Sequence, residues 1–327
     1  MRSRFAIALL SFFVVAALNA PLGAAAVFPG APTAGAEFAA IPIRDANDGS
    51  PSDAVEPAAG QLAVASVQND DQPTLDPLGD RAMQIVHALA DGIGSRPAGS
   101  DAERSAAAFL ADQYRGMGYG VDIVPFSIRS GSGTSQNVIA YDQNEDPTAP
   151  LVIIGGHYDS VPAGPGANDN GSGTATTLEV ARQLVSSPIP GVAIRYVAFG
   201  AEEIGLFGSQ SYVSRMLPAD RARTKVMMSI DMMAVGAQPA FGGSDPWLSE
   251  ALARAASQGW QPVELSTYLR RLSDHASFLD AGIPAIMFHW VDDPYYHTAL
   301  DISSNVQPYS MELMGAIAIE LARVAAR

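Results

Sequence analysis

Leu151-Val152-Ile153-Ile154-Gly155-Gly156-His157-Tyr158-Asp159 is the stretch that decides the fold. From Leu151 to Gly155 it is apolar without alternation. A strand of that kind is buried on both faces, as in a parallel sheet covered by helices on either side. The run passes directly into His157, so a strand end delivers an imidazole to the carboxyl edge of the sheet, where open α/β sheets gather ligands. Asp159, on the same side while the chain stays extended, is placed to accept the proton of the other imidazole nitrogen and fix its tautomer. A satisfied loop histidine is the competing reading.

Outward from this strand the pattern alternates. Downstream, strands at Ala193 to Phe199, Val226 to Ile230 and Ala285 to Phe288 are interleaved with helices at Gly173 to Leu184, Leu206 to Met216 and Pro246 to Gln258. Upstream, Val121 to Ile128 and Asn137 to Tyr141 read as strands joined in a hairpin by the polar turn Ser130 to Ser135. Two helices precede them, Arg81 to Leu89 and Asp101 to Met117, separated by a loop from Gly92 to Ser100. The second is capped near Ser100 and stopped at Gly118. The order predicts an α/β fold, a three-layer α/β/α sandwich on a mixed, mainly parallel central sheet.

The first 76 residues read differently. Arg2 and Arg4 precede an apolar run from Phe5 to about Leu18 and then the small residues Ala20, Gly23, Ala24, Ala25 and Ala26. That order predicts a signal peptide over residues 1–26. The run is shorter than the ~20 apolar residues of a spanning helix, so no membrane attachment is expected after cleavage. Residues 27–76, rich in Ala, Pro, Gly, Asp and Ser, read as a low-complexity linker or propeptide, leaving 77–327 as the folded domain. The chain is therefore expected to be secreted or periplasmic, and a monomer. Cysteine is absent, so any metal must sit on His, Asp and Glu. The formal charge of −15 excludes the basic footprint that nucleic acid requires.

Acids and imidazoles recur at the strand ends. Asp169 lies in Gly166-Ala167-Asn168-Asp169-Asn170-Gly171-Ser172-Gly173, just before a helix, where it is either a cap or a carboxylate held to bridge two cations. The strand ending at Phe199 runs into Gly200-Ala201-Glu202-Glu203, whose adjacent side chains diverge. One can ligate a metal while the other faces water, and two uncompensated carboxylates beside a buried strand are costly. Asp231 ends the next strand, as a ligand or a turn. His297 and Tyr296 follow the strand at Ala285 to Phe288 by one loop, and the Tyr296 phenol suits hydrogen bonding to an oxyanion. Two histidines and three carboxylates, following four strand-like segments, suit a pair of zinc ions sharing one acid, with the ions ~3.5 to 4 Å apart. Calcium elsewhere has no support in the sequence.

These motifs resemble the zinc aminopeptidases of the M28 peptidase family, especially the compact secreted bacterial ones. The likeness runs from about Leu78 to the C-terminus and rests on Gly156-His157-Tyr158-Asp159-Ser160, Asn168-Asp169-Asn170-Gly171-Ser172-Gly173, Phe199-Gly200-Ala201-Glu202-Glu203, Ser229-Ile230-Asp231-Met232 and Tyr296-His297-Thr298. The resemblance implies a zinc-peptidase, phosphorylase/hydrolase-like fold. It implies that His157 and Asp231 bind one zinc, that Glu203 and His297 bind the other, and that Asp169 bridges them. It makes Glu202 the general base acting on a metal-bridged water, Asp159 the residue that orients His157, and Tyr296 the group that polarises the scissile carbonyl. It also implicates the Asp169-Asn170 bond as cis. The implied substrates are peptides with a free N-terminus.

Some features depart from the pattern. Several relatives place Arg directly before a Ser-Asp pair, whereas Leu272 precedes Ser273-Asp274 here, with Arg270 and Arg271 further back. His87, His275 and His289 match no family ligand and read as structural. Phe288, Trp290 and Tyr295 suit either a specificity pocket or the core. The competing functions are a single-zinc glutaminyl cyclase, which lacks part of the dinuclear set, and a metallocarboxypeptidase, which needs a basic pocket such as Arg270 or Arg271 would supply. A non-catalytic binding protein would have a broken ligand set or a replaced Glu202.

Overall fold

The apolar run at 151–155 lies at the centre of an eight-stranded sheet in the computed structural model of the chain, which describes residues 77–128, 133–265 and 272–327. The predicted signal peptide and linker, part of the Ser130 to Ser135 turn, and Arg270 and Arg271 lie outside the described residues. Every residue of β3 (Leu151–His157) is buried. Its side chains alternate between two cores, Val152 and Ile154 on one face and Leu151 and Ile153 on the other, as the twofold repeat of a strand requires.

Around β3 the central strands are parallel: β4 (Ala193–Phe199) on one side, β5 (Thr224–Ile230) on the other, and β8 (Ala285–Val291) beyond β5. Antiparallel strands extend both edges. β2 (Thr134–Tyr141) pairs with β4 and β1 (Gly120–Ser127) with β2, while β6 (Gln238–Gly243) pairs with β8 and carries the short parallel β7 (Val263–Glu264). The sheet is mixed and mainly parallel, as expected.

Helices cover both faces. One core contains residues of α1 (Leu78–Val86), α2 (Asp101–Gly116), α3 (Gly173–Ser186), α6 (Trp247–Ser257) and α8 (Pro308–Ala325). The other holds residues of α4 (Phe207–Arg215) and α7 (His275–Asp280); the short α5 (Pro218–Arg223) buries none. Because α3 and α4 leave on opposite faces, β4 and β5 flank β3, and the crevice opens at the carboxyl ends of these strands.

Local chemistry sets several boundaries. Ser100 caps α2 by accepting the Glu103 N–H at 3.1 Å, and the Glu103 carboxylate reaches back to the Gly99 N–H at 2.6 Å. The predicted helix at Arg81 to Leu89 begins three residues earlier, at Leu78, and runs into a π-helical stretch, His87–Ile93. Sequence reading passed over α5, β6, β7, α7 and α8. β6 holds Pro239 and two glycines, which hide its pattern. α8 was legible: Pro308 stands in its first turn and Met311, Met314, Ala318, Leu321 and Ala322 recur on one buried stripe. Phe288 and Trp290 are fully buried, and Tyr295 packs against the core, so this trio serves packing.

Candidate metal centre

Two close backbone approaches build the floor of the crevice. A Cβ on Gly156 would lie 2.3 Å from the Ile230 carbonyl oxygen, and one on Gly173 would lie 2.1 Å from the same atom. Only glycine lets the start of α3 and the end of β3 press against β5 in this way. Asn170 sutures the contact, donating to Ile230 O at 2.9 Å and accepting from Met232 N at 3.1 Å. Asn168 accepts from Ala234 N at 2.8 Å. The turn bearing Asp169 and the loop bearing Asp231 are thereby one unit. The Asp169-Asn170 bond is cis.

The candidate ligands converge there. His157 Nε2 lies 3.2 Å from Asp169 Oδ1 and 3.4 Å from Asp231 Oδ1. His297 Nε2 lies 3.2 Å from Asp169 Oδ2 and 3.0 Å from Glu203 Oε2. Asp169 thus presents one oxygen to each histidine. Two overlapping sets, His157 with Asp169 and Glu203, and His157 with Glu202 and Asp231, each bring their donor atoms within 4.8 Å of one another. Ala201, Met232 and His297 all hold left-handed backbone, with φ of 55°, 57° and 57°, a conformation that non-glycine residues adopt only under constraint and that clusters at functional sites.

Asp159 faces the β4 loop with its carboxylate and His157 with its carbonyl. Its carboxylate oxygens accept the backbone N–H groups of Glu202 at 3.0 Å and Glu203 at 3.3 Å. It is the Asp159 carbonyl, 3.2 Å from His157 Nδ1, that comes within hydrogen-bonding distance of the ring; the carboxylate is 3.6 Å away. A carbonyl only accepts, so Nδ1 carries the proton on that side, and Nε2 is turned toward the Asp169 and Asp231 carboxylates. His289 plays a related part behind Asp231, donating from Nδ1 to its carbonyl at 3.1 Å.

The electrostatics call for cations. Burial opposes charge on His157, but Glu202, Asp231, Asp159 and Asp169 hold its pKa well above the ordinary value. Burial likewise opposes charge on His297, yet the hydrogen bonds to Asp169 and Glu203 lift it to about 10. Burial and the charge of Asp169 push Glu203 up to about 7. Glu202 is held well above the carboxylate range by burial and by Asp274, Asp231 and Glu203, against the pull of His157. Glu203 Oε1 and Asp231 Oδ1 are buried and accept no hydrogen bond. An all-oxygen and imidazole donor set with orphaned carboxylate oxygens fits divalent zinc. Tyr296 stacks on the His297 ring at 3.8 Å, and burial and the nearby Asp169 charge raise its phenol, keeping it a neutral donor.

One supporting residue escaped sequence reading altogether. Arg96 is fully buried and donates to five backbone carbonyls, those of Leu89, Gly94, Tyr158, Pro165 and Gly166. It holds the loop between His157 and Asp169 in shape. Burial lowers its pKa to about 10 against the pull of Asp159, Asp301, Asp169 and Glu203. Its setting, Gly94-Ser95-Arg96-Pro97, carries no periodic signal that would mark a buried arginine. Asp274, with a carboxyl pushed up to about 7 by burial, and His275 are both fully buried at the start of α7.

Residues 137–322 match the model of peptidase family M28. Over 197 residues the chain is 36% identical to Aminopeptidase YwaD of Bacillus subtilis, a match covering 56% of this chain and 43% of that protein. The chain spans less than half the length of the curated relatives it matches. Among solved structures, BSAP, a zinc aminopeptidase from Bacillus subtilis, superposes with a TM-score of 0.68 at 22% identity, over 74% of this chain and 95% of that one. The Porphyromonas gingivalis glutaminyl cyclase superposes with a TM-score of 0.63 at 22% identity, over 75% and 97%. At such identity these likenesses establish the α/β fold.

Proposed function

The chain belongs to peptidase family M28, and from that premise we propose that it is an exported, dinuclear zinc aminopeptidase removing N-terminal residues from peptides. The observation that carries the reading is the geometry of Asp169, whose Oδ1 and Oδ2 each lie 3.2 Å from a different histidine, each histidine having its own acid in Asp231 or Glu203. In this reading His157 and Asp231 would hold one zinc, His297 and Glu203 the other, and Asp169 would be shared between them. Bound zinc would acidify water and polarise the scissile carbonyl.

The remaining steps belong to side chains. Glu202, its backbone anchored by Asp159 and its carboxylate 4.0 Å from His157 Nε2, takes the proton of the attacking water and returns it to the leaving amine. Tyr296 donates its phenolic hydrogen bond to the carbonyl oxygen as that atom gains charge. Export rests on the basic and apolar order of residues 1–26, with 27–76 as linker or propeptide and 77–327 as the catalytic domain. Among the described residues no helix is long and apolar enough to cross a membrane. A cyclase reading has only the shared fold behind it.

Leucyl p-nitroanilide hydrolysis, with zinc quantified per chain, tests the proposal. Zinc near two per chain, loss of turnover in Glu202→Gln and refusal of an N-acetylated substrate are expected. Full activity in Glu202→Gln would overturn the mechanism, and cleavage of blocked peptides alone would move the activity to a carboxypeptidase.

A further inference from the structure

Asp301 ends the loop that begins at His297, and it is buried, with 3% of its surface exposed. No step derived above uses it. Its Oδ1 accepts the backbone N–H of Asn168 at 2.6 Å, and its Oδ2 accepts that of Asp169 at 3.0 Å. Its own carbonyl accepts the Ala167 N–H, and its N–H donates to Thr298 O, both at 3.2 Å. One residue therefore closes the His297 loop on itself and clamps it to three consecutive residues of the turn that presents Asp169.

We infer that Asp301 is a positioning residue that sets the separation of His297 and Asp169, and through it the affinity of the zinc site those two side chains share; the inference rests on the dinuclear reading above. The physical case is one of leverage. His297 sits in left-handed backbone at φ 57°, its ring is 37% exposed, and its stacking partner Tyr296 belongs to the same loop, so the placement of that loop sets the placement of the ring. Its distance to Asp169 is a distance between two segments far apart in sequence. The carboxylate spans them through charge-assisted bonds, which are shorter and stronger than neutral ones. Two convergent N–H donors need two acceptor oxygens. An amide offers one and turns its own N–H groups against the second donor.

Zinc titration of chelator-treated full-length protein against a chromophoric competitor, compared between parent, Asp301→Asn, Asp301→Glu and His297→Ala, tests this. The parent should show two binding steps. Asp301→Asn should weaken one of them about 10- to 100-fold, the loss typical when a partner behind a ligand is removed, and it should be the step that His297→Ala abolishes. The other step should stay within about threefold. Asp301→Glu keeps both acceptors on a longer arm and should weaken the same step by less, which preserves the test if the Asn variant does not fold. Parent-like affinity at both steps, or equal weakening of both in step with a lower melting temperature, would overturn the inference and leave Asp301 a structural residue. A parent that takes up fewer than two zinc ions would instead sink the dinuclear reading, and the inference with it.

Discussion

The carboxylate of Asp159 accepts the backbone N–H of Glu202 at 3.0 Å. Through this bond the loop after β3 dictates where the loop after β4 presents its two acids, while the Asp159 carbonyl orients His157. One residue thus couples the candidate general base to a candidate ligand. In Asp159→Asn the carbonyl survives but one of the two N–H donors faces an amide, a mismatch costing about 1 to 3 kcal/mol. Turnover should fall roughly 10- to 100-fold with zinc content unchanged. Measuring kcat, KM and zinc per chain together checks this, and an unchanged kcat would detach Asp159 from Glu202.

Arg96 should be worth more to stability than its distance from the reaction suggests. Replacing it with Met takes the side-chain donor from five carbonyls and sets an apolar chain among them; those of Leu89 and Gly166 keep the N–H groups of Gly94 and Gly171, while those of Gly94, Tyr158 and Pro165 lose the Arg96 donor. The expected loss is about 3 to 5 kcal/mol, a melting temperature lower by roughly 6 to 20 °C for a domain of this size. Lys, with one ammonium for those carbonyls, should recover part of it. Thermal melts of the three proteins in saturating zinc decide the matter.

Glu103 makes stability depend on pH. Burial pushes its carboxyl up to about 7, against the hydrogen bonds from Ser135 and Gly99. Its folded pKa thus exceeds its unfolded one near 4.5, so the fold binds the proton more tightly. The stabilisation is complete below the unfolded value and is lost as pH rises through about 7, on the order of 2 to 3 kcal/mol in all. Glu103→Gln keeps the uncharged pattern. Its melting temperature should match the parent at pH 5 and exceed it by several degrees at pH 8. Parallel melting curves at both pH values would refute the assignment.

Removing zinc should destabilise the catalytic domain. Without cations, Asp169, Glu202, Glu203 and Asp231 share a buried crevice with two histidines. At free zinc one hundred times its dissociation constant, binding contributes about 2.7 kcal/mol, or roughly 5 to 10 °C in this size range. Melting with and without a chelator reads this directly, and an unchanged midpoint would argue against metal at these residues.

Much of this molecule is local and therefore legible. The unbroken apolar run at Leu151 to Gly155 specifies a strand buried on both faces, and the matching runs at Ala193 to Phe199 and Val226 to Ile230 specify its companions, because period and polarity are properties of neighbouring residues. Sequence order alone also puts His157, Glu202, Glu203 and Asp231 at the carboxyl ends of those strands. Which atoms then meet was for the tertiary structure to decide. That Asp169 faces two histidines, that Asp159 uses its carboxylate on the β4 loop and its carbonyl on His157, that Arg96 gathers five carbonyls and that Asp301 clamps residues 132 and 133 positions away are long-range facts. No local period encodes them, because each depends on desolvated backbone donors and acceptors that exist as a set only once β3, β4 and β5 have packed side by side.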